Sequence, residues 1–280
     1  MMDETELKFT GSDFRRARDM LYQKAGIALH DSKKHMVYAR LARRVRSRGL
    51  RSFGEYLDLL QQDQEEGEWQ GFINALTTNL TSFFREPHHF EMLREHVRRR
   101  RPAGETFRVW SAASSTGEEP YSIAITLLES WRESGGGAFE LLASDIDTQA
   151  LAQAARGVYP LERVVQLAPH LLKRYFDKGA GANEGMARLK RQAREAALFF
   201  QFNLAASTWP DIGRFDVIFC RNVLIYFDKA TQADILSRMA PCLKPDGLLF
   251  LGHSENISHL TEAFAGCGRT AYRLARPDGG

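Results

Sequence analysis

The residues best suited to chemistry gather in two short stretches. Ser111-Ala112-Ala113-Ser114-Ser115-Thr116-Gly117-Glu118-Glu119-Pro120 is a run of small side chains ending in two acids, and Asp145 closes the apolar stretch 140–145. Small side chains let a backbone come close to a ligand, as nucleotide-binding loops require. The loop is not G-x-G-x-x-G, because Gly117 is its one glycine, and it is not a phosphate-binding P-loop, because no lysine follows. Glu118 and Glu119 would repel a pyrophosphate and welcome a cation; alternatively they complement the dipole of a helix that begins there. Asp145 occupies the place where α/β nucleotide binders hold ribose hydroxyls with a carboxylate. Together these groups suit a positively charged nucleoside without phosphates, and S-adenosylmethionine is the common cofactor of that description.

The other chemically capable residues point elsewhere. Cys220, Cys242 and Cys267 are far apart with no CxxC pair, so neither a disulfide framework nor a cysteine metal site is expected, and a reducing cytoplasm fits best. His88 and His89 are adjacent and cannot form a metal site alone, so they read as the start of a helix, and no metal is expected. His253 and His259 lack a ligand spacing, and Phe83-Phe84 reads as packing against a sheet.

Periodicity gives the elements that must position these groups. Phe14, Ala17, Leu21 and Ala25 recur at helical spacing, with Ser12-Asp13 as the expected cap and Gly26 as the stop. Further helices are expected over 32–48, 52–62 and 68–76. In the second, Val37, Leu41 and Val45 share one arc, while Arg40, Arg43, Arg44 and Arg46 fall on the opposite one. Lys33 to Arg51 contains eight lysines and arginines and no acid, and Glu55, Asp58, Asp63, Glu65, Glu66 and Glu68 follow. The arginine face is either a solvated surface or a docking face for an acidic partner. The lack of an acidic neighbour four positions away favours docking, because an unpaired cationic face repels itself.

From Phe107 the pattern alternates. Strands are expected at 107–112, 140–145, 215–220, 248–252 and 270–274, with helices at 119–131, 147–156 (capped by Asp147) and 229–243. Such alternation implies an α/β fold with a mostly parallel sheet, whose ligands bind beyond the carboxyl ends of the strands. Residues 159–194 interrupt it with a Gly-rich turn around Gly179-Ala180-Gly181, either a surface elaboration or a docking module. With 280 residues, 44% hydrophobic and 26% charged, the chain has the composition of a soluble globular protein of one large or two modest domains. No run approaches the roughly 20 apolar residues of a membrane span. Met1-Met2-Asp3-Glu4-Thr5-Glu6 is unlike a signal peptide, and the net charge of +3 is small.

Five long motifs, in order, resemble the bacterial chemotaxis receptor methyltransferases, the CheR family. They are Leu76-Thr77-Thr78-Asn79-Leu80-Thr81-Ser82-Phe83-Phe84-Arg85-Glu86-Pro87-His88-His89-Phe90, the stretch from Arg108 through Ser122, Ala143-Ser144-Asp145-Ile146-Asp147, Phe219-Cys220-Arg221-Asn222-Val223-Leu224-Ile225-Tyr226-Phe227-Asp228, and Leu243-Lys244-Pro245-Asp246-Gly247 followed by Gly252-His253-Ser254-Glu255-Asn256. The resemblance runs from about Phe14 to Leu274. It implies a Rossmann-like class I S-adenosylmethionine-dependent methyltransferase domain with a small inserted β-subdomain, preceded by a small all-α domain. The expected division is 1–76 for the helical domain, 77–106 for a linker that touches the cofactor, and 107–280 for the α/β domain, with the insert at about 159–197.

By the same resemblance, methyl groups pass from S-adenosylmethionine to glutamate side chains on the cytoplasmic helical bundle of chemoreceptors, leaving S-adenosylhomocysteine. Asn79, Thr81 and Arg85 would contact the cofactor, Glu119 its methionine end, Asp145 its ribose and Asn203-Leu204 its adenine. Arg221-Asn222 would line the site. Arg85 would also hold the acceptor carboxylate or fix the cofactor, and Tyr226 would stand near the transferred methyl. Glu119 is preferred to Glu118. Gly179 and Gly181 match a turn that binds a receptor C-terminal pentapeptide in some family members, and Arg40, Arg43, Arg44 and Arg46 would touch the methylation helices. A monomer suffices, with no insertion into the membrane and no nucleic acid partner. The rival reading, a nucleic-acid methyltransferase, usually carries Asn/Asp-Pro-Pro-Tyr/Phe/Trp where this chain has Arg221-Asn222-Val223-Leu224. A cofactor-binding scaffold without catalysis is disfavoured because Arg85 and Tyr226 are both present.

Overall fold

The computed structural model describes residues 7–62, 66–99, 105–134 and 137–275, so the acidic start Met1–Glu6 and the acids Asp63 and Glu65 lie outside the described residues. The chain divides into two compact units. One holds the residues up to Thr78 together with Tyr226–Asp228, and the other holds Asn79–Ile225 with the residues from Lys229 onward.

The first unit is built from α1 (Gly11–Ala25), α2 (Lys34–Ser47), α3 (Phe53–Gln62) and α4 (Glu66–Leu76). Thr10, rather than Ser12-Asp13, caps α1. The Thr10 hydroxyl accepts from the Asp13 N–H at 3.1 Å, and the Asp13 carboxylate accepts from the Thr10 N–H at 2.8 Å. This reciprocal box makes Asp13 the third residue of the helix and moves its start upstream. Gly26 ends α1 in the left-handed region at φ 70°. Val37, Leu41 and Val45 are fully buried beneath α3 and α4, as the pattern in α2 requires.

The opposite face of α2 corrects the expectation of unpaired arginines. Glu68, fully buried on α4, accepts from Arg44 through both oxygens at 2.6 Å, from Arg48, and from the Tyr56 hydroxyl at 2.8 Å. Arg40 donates to the Thr77 carbonyl. The acid that neutralises Arg44 comes from another helix, which a search along one helix cannot find. Arg43 and Arg46 remain exposed.

The second unit follows α5 (His88–Arg99) with a seven-stranded sheet. In chain order its elements are β1 (Phe107–Ser111), α6 (Glu118–Ser134), β2 (Phe139–Asp145), α7 (Thr148–Arg156), β3 (Val158–Pro160), α8 (Pro169–Tyr175), β4 (Phe176–Lys178), β5 (Met186–Leu189), α9 (Arg191–Arg194), β6 (Ala197–Gln201), β7 (Phe215–Cys220), α10 (Lys229–Met239), β8 (Leu243–Leu251), β9 (Phe264–Gly268) and β10 (Ala271–Leu274). The sheet order is β6-β2-β1-β7-β8-β10-β9, parallel except that β10 runs antiparallel to β8 and β9. Its central strand, β7, is wholly buried, and the neighbouring β1 has four of five residues buried, as expected of a parallel sheet covered on both faces. The order reverses at β1, so the crevice beyond β1 and β7 is the place for a ligand. This is the α/β architecture expected from the sequence.

Three features depart from the periodicity reading. The helix expected over 229–243 stops at Met239, because Pro241 lies in a short turn and Leu243 already pairs with Phe215 as the start of β8. Edge strands β6 and β9 carry no clean alternation, so periodicity does not reveal them. Phe83 packs not on the large sheet but edge-on to Tyr159 and Phe176, with ring centroids 5.0 and 5.6 Å away.

A second, antiparallel sheet of order β3-β5-β4 interrupts the alternation between α7 and β6. Glycine is required in the turn that joins β4 to β5. A Cβ on Gly179 would lie 2.0 Å from the Asn183 carbonyl oxygen, and Gly181 has φ +58°. Among the described residues no helix is long and apolar enough to cross a membrane.

Candidate active site

The loop after β1 starts where small residues let three strand ends converge. The Asp145 carboxylate, at the end of β2, accepts from the Ser115 N–H at 2.7 Å and the Asp147 N–H at 2.9 Å. Burial pushes this carboxyl up to about 6, against the pull of those two donors. Asp147 caps α7 through the N–H groups of Gln149 and Ala150, as expected, and its other oxygen accepts from Asn79 Nδ2 at 2.7 Å. Asn79 Oδ1 lies 3.4 Å from the Ser115 hydroxyl, which fixes the segment before α5 against the loop.

The two adjacent acids part ways. Glu118 is wholly buried and held by the Thr116 hydroxyl and Arg163, both at 2.6 Å. Glu119 accepts from the Ser111 hydroxyl at 2.8 Å and from Arg221 Nη1 at 2.9 Å, so it sits between the ends of β1 and β7. Burial pushes its carboxyl up while Arg221 opposes the rise. Arg221 Nη2 also donates to the Arg85 carbonyl at 2.6 Å. The Arg85 guanidinium itself turns to the Leu80 carbonyl at 3.0 Å, at the surface.

On the far side of β2, the Phe202 N–H donates to the Asp145 carbonyl at 2.9 Å, which brings Asn203-Leu204 next to the end of that strand. Asn203 Oδ1 accepts from the Ala205 N–H at 2.9 Å, and Leu204 is buried. Thr81 is half-buried. Asn222 follows Arg221 with φ +57°. Tyr226 goes with the helical unit, where its carbonyl accepts from the Ala28 N–H at 2.8 Å. The structure thus ties Asn79 and Asp145 into one bonded cluster through Asp147 and Ser115, and Glu119, Arg221 and the Arg85 carbonyl into a second. Phe84, Glu86, Ser115 and Asn222, all non-glycine residues with φ between 48° and 58°, belong to the segments that carry these two clusters. Backbone strain of this kind persists where surrounding contacts over-determine it.

Sequence reasoning missed the partners of these residues. Glu86 lies 3.5 Å from Arg221 and 3.2 Å from His253. Glu86, His88 and His89 bring three ligand atoms within 4.8 Å of one another. The neighbouring Arg221 cation opposes a metal ion there, and burial, with Arg221 adding, pushes His89 down to about 3. Cys220 is buried and its thiol is pushed far up, so it is inert.

Residues 79–273 match the CheR methyltransferase SAM binding domain, and residues 12–77 match the CheR methyltransferase all-alpha domain. The chain belongs to the CheR methyltransferase family. It is 53% identical over 270 residues to the chemotaxis protein methyltransferase of Escherichia coli, covering 96% of this chain and 93% of that one. It is 53% identical to the chemotaxis protein methyltransferase of Salmonella typhimurium, over 96% of this chain and 92% of that one. It is 49% identical to the chemotaxis protein methyltransferase 2 of Pseudomonas aeruginosa, over 96% and 95%. As a CheR methyltransferase, the chain uses S-adenosylmethionine in the service of chemotaxis.

The donor set fits that cofactor. The Asp145 carboxylate keeps lone pairs for hydroxyls, and the loop holds acids and no lysine that would favour a phosphate. The Ser114 hydroxyl is fully buried in the same loop without a hydrogen-bond partner in the protein, the kind of atom that a ligand or an ordered water satisfies.

Proposed function

We propose that this CheR methyltransferase esterifies glutamate side chains on the cytoplasmic helical bundle of chemoreceptors, acting as a monomer in the cytoplasm. S-adenosylmethionine supplies the methyl group on a sulfonium leaving group, and S-adenosylhomocysteine is the co-product. A glutamate carboxylate has an unperturbed pKa of about 4.3 and is already ionised at neutral pH, so no side chain need act as a general base. One acceptor oxygen forms the new O–CH3 bond as the S–CH3 bond breaks, and no proton moves.

The protein's work is positioning and exclusion of water, which can supply about 7–11 kcal/mol in favourable cases. Asp145 holds the ribose, Glu119 the methionine end, and Asn203-Leu204 border the adenine. Asn79, Thr81 and Arg85, in the 77–106 segment, close over the cofactor, and Arg221-Asn222 line the site. Arg85 also steadies the acceptor carboxylate, and Tyr226 shapes the methyl pocket. The observation that carries this reading is the pair of acids Asp145, at the end of β2, and Glu119, in the first turn of α6, each fixed by donors from the small-residue loop or from Arg221.

Two surfaces serve the receptor. Exposed Arg43 and Arg46 meet the acidic methylation helices, with Arg40 and Arg44 setting the helix from below. A receptor C-terminal pentapeptide adds to the inserted sheet beside β4, an edge strand followed by Gly179 and Gly181.

The test is transfer of radiolabelled methyl groups into membranes that contain receptors, with and without their C-terminal tails. Label released as methanol by mild alkali is expected, and alkali-stable label would overturn the ester assignment. Arg85→Ala should slow transfer or weaken S-adenosylhomocysteine binding. Wild-type behaviour in both assays would remove Arg85 from the site.

A further inference from the structure

Glu255 lies in the loop after β8 and is 5% exposed. Its carboxylate accepts four backbone N–H groups. Oε1 takes those of Val223 at 2.9 Å and Leu224 at 2.8 Å, and Oε2 takes those of Asn222 at 2.8 Å and Gly252 at 2.6 Å. Successive backbone N–H groups that converge in this way form a nest with a fixed positive potential, which elsewhere binds free anions. Here the anion is covalently part of the chain. It binds the loop after β7 to the loop after β8 at the carboxyl edge of the sheet.

We propose that Glu255 is a positioning residue for methyl transfer, holding Asn222 and the turn that follows in the one backbone shape that completes the active site. Two further observations support this assignment. Asn222 sits in the left-handed region at φ +57°, which asparagine tolerates better than most side chains but which its neighbours must still select over the usual negative-φ conformations. A Cβ on Gly252 would lie 2.2 Å from Asn222 Nδ2 and 2.9 Å from its backbone nitrogen, so the Asn222 side chain is pressed against the very strand end that Glu255 clamps. The clamp therefore fixes both the backbone and the direction of Asn222. Neither Asp145 nor Glu119 is bonded to it. The claim that Asn222 lines the cofactor site is the proposed function given above, and the role of Glu255 in catalysis rests on it.

The discriminating variant is Glu255→Gln, which keeps one acceptor oxygen but turns an amide NH2 toward two of the four donors. Amide hydrogen exchange, read without cofactor, should speed up at residues 222–224 and Gly252 while β1 and β7 stay protected. The methyl-transfer kcat should fall by about 10- to 100-fold, the range that small misplacements produce. S-adenosylhomocysteine affinity, measured by calorimetry, should fall by a smaller factor than kcat, because the hydrogen bonds that hold Asp145 and Glu119 come from other residues. Glu255→Asp, which retains the charge, should recover part of the rate, and it provides the same readings should the glutamine variant be insoluble. Unchanged exchange, wild-type kcat, or a fall in cofactor affinity that accounts for the whole rate loss would each overturn the assignment. Failure of the wild-type chain to bind S-adenosylhomocysteine would instead overturn the proposed function, while the exchange measurement would still report on the clamp.

Discussion

The Arg221 guanidinium meets the Glu119 carboxylate at 2.9 Å, with side-chain exposures of only 1% and 10%. One partner directly follows β7 and the other lies in the first turn of α6, so the contact joins two walls of the crevice where the order of the sheet reverses. Because both charges are out of water, the pair is worth most when intact and is costly to break on one side. Glu119→Ala removes the nearer carboxylate and leaves buried Arg221 with Glu86 at 3.5 Å, so it should lower the unfolding free energy by about 1.5–3 kcal/mol, the worth of a hydrogen bond to a charged group. Denaturant titration checks this, and a loss below 1 kcal/mol would show that solvent reaches Arg221.

The pH dependence of cofactor binding should follow Asp145. Its carboxyl is pushed by burial from the usual 3.8 to about 6. Below that value it is protonated, and the added O–H donor weakens its power to accept from the ribose hydroxyls proposed for it. Affinity for S-adenosylhomocysteine should therefore weaken as pH falls through about 6, and Asp145→Asn should flatten the profile at its low-pH level. The linked stability has the opposite sign. An acid with a raised folded-state pKa costs nothing below pH 3.8, and its cost grows until about 6 and is constant above. Calorimetric titrations between pH 5 and 8 provide the check.

Glu129 should behave in the reverse manner. Burial alone would raise its carboxyl, but hydrogen bonds from Tyr175, Arg174 and Arg132 outweigh that and hold it at about 2. Its stabilising contribution is complete above pH 4.5 and is lost as pH falls toward 2. Tyr175 and Arg174 belong to α8, so this carboxylate anchors the inserted segment to α6. Glu129→Gln should destabilise by about 1–3 kcal/mol at pH 7, with the difference shrinking in thermal melts taken near pH 3.

The arginines of α2 should separate into two groups. Arg44→Ala removes the cation that reaches both oxygens of buried Glu68, which keeps Arg48 and Tyr56, and should cost about 1.5–3 kcal/mol, read as a lower melting temperature. The double variant Arg43→Glu/Arg46→Glu should melt like the wild type, yet methylate receptor-containing membranes more slowly, with the deficit shrinking at high salt. Equal melting shifts in both would mean that the exposed pair is structural.

Glu118 and Glu119 show where sequence reading stops. Adjacent acids at a helix start are equivalent by composition. Only the packing shows that Glu118 turns to Arg163 while Glu119 turns to Ser111 and Arg221. Arg44 makes the same point in the helical unit, since its acid lies 24 positions away on another helix. Glu255 could be quoted in a motif but had no role until four amides were seen to converge on it.

The sequence by itself determined the α/β class, the helical segment before it, the interruption after the second strand-and-helix pair, and the small-residue loop with Asp145 at the next strand end. These are encoded locally, in periods of two and 3.6 residues, in caps and in the spacing of acids. Tertiary structure alone decided which charges are spent inside the protein, which strands form the edges, and which backbone groups meet a carboxylate. Those outcomes depend on residues distant in the chain becoming neighbours in a medium of low polarity, where an unpaired charge or N–H costs too much to leave.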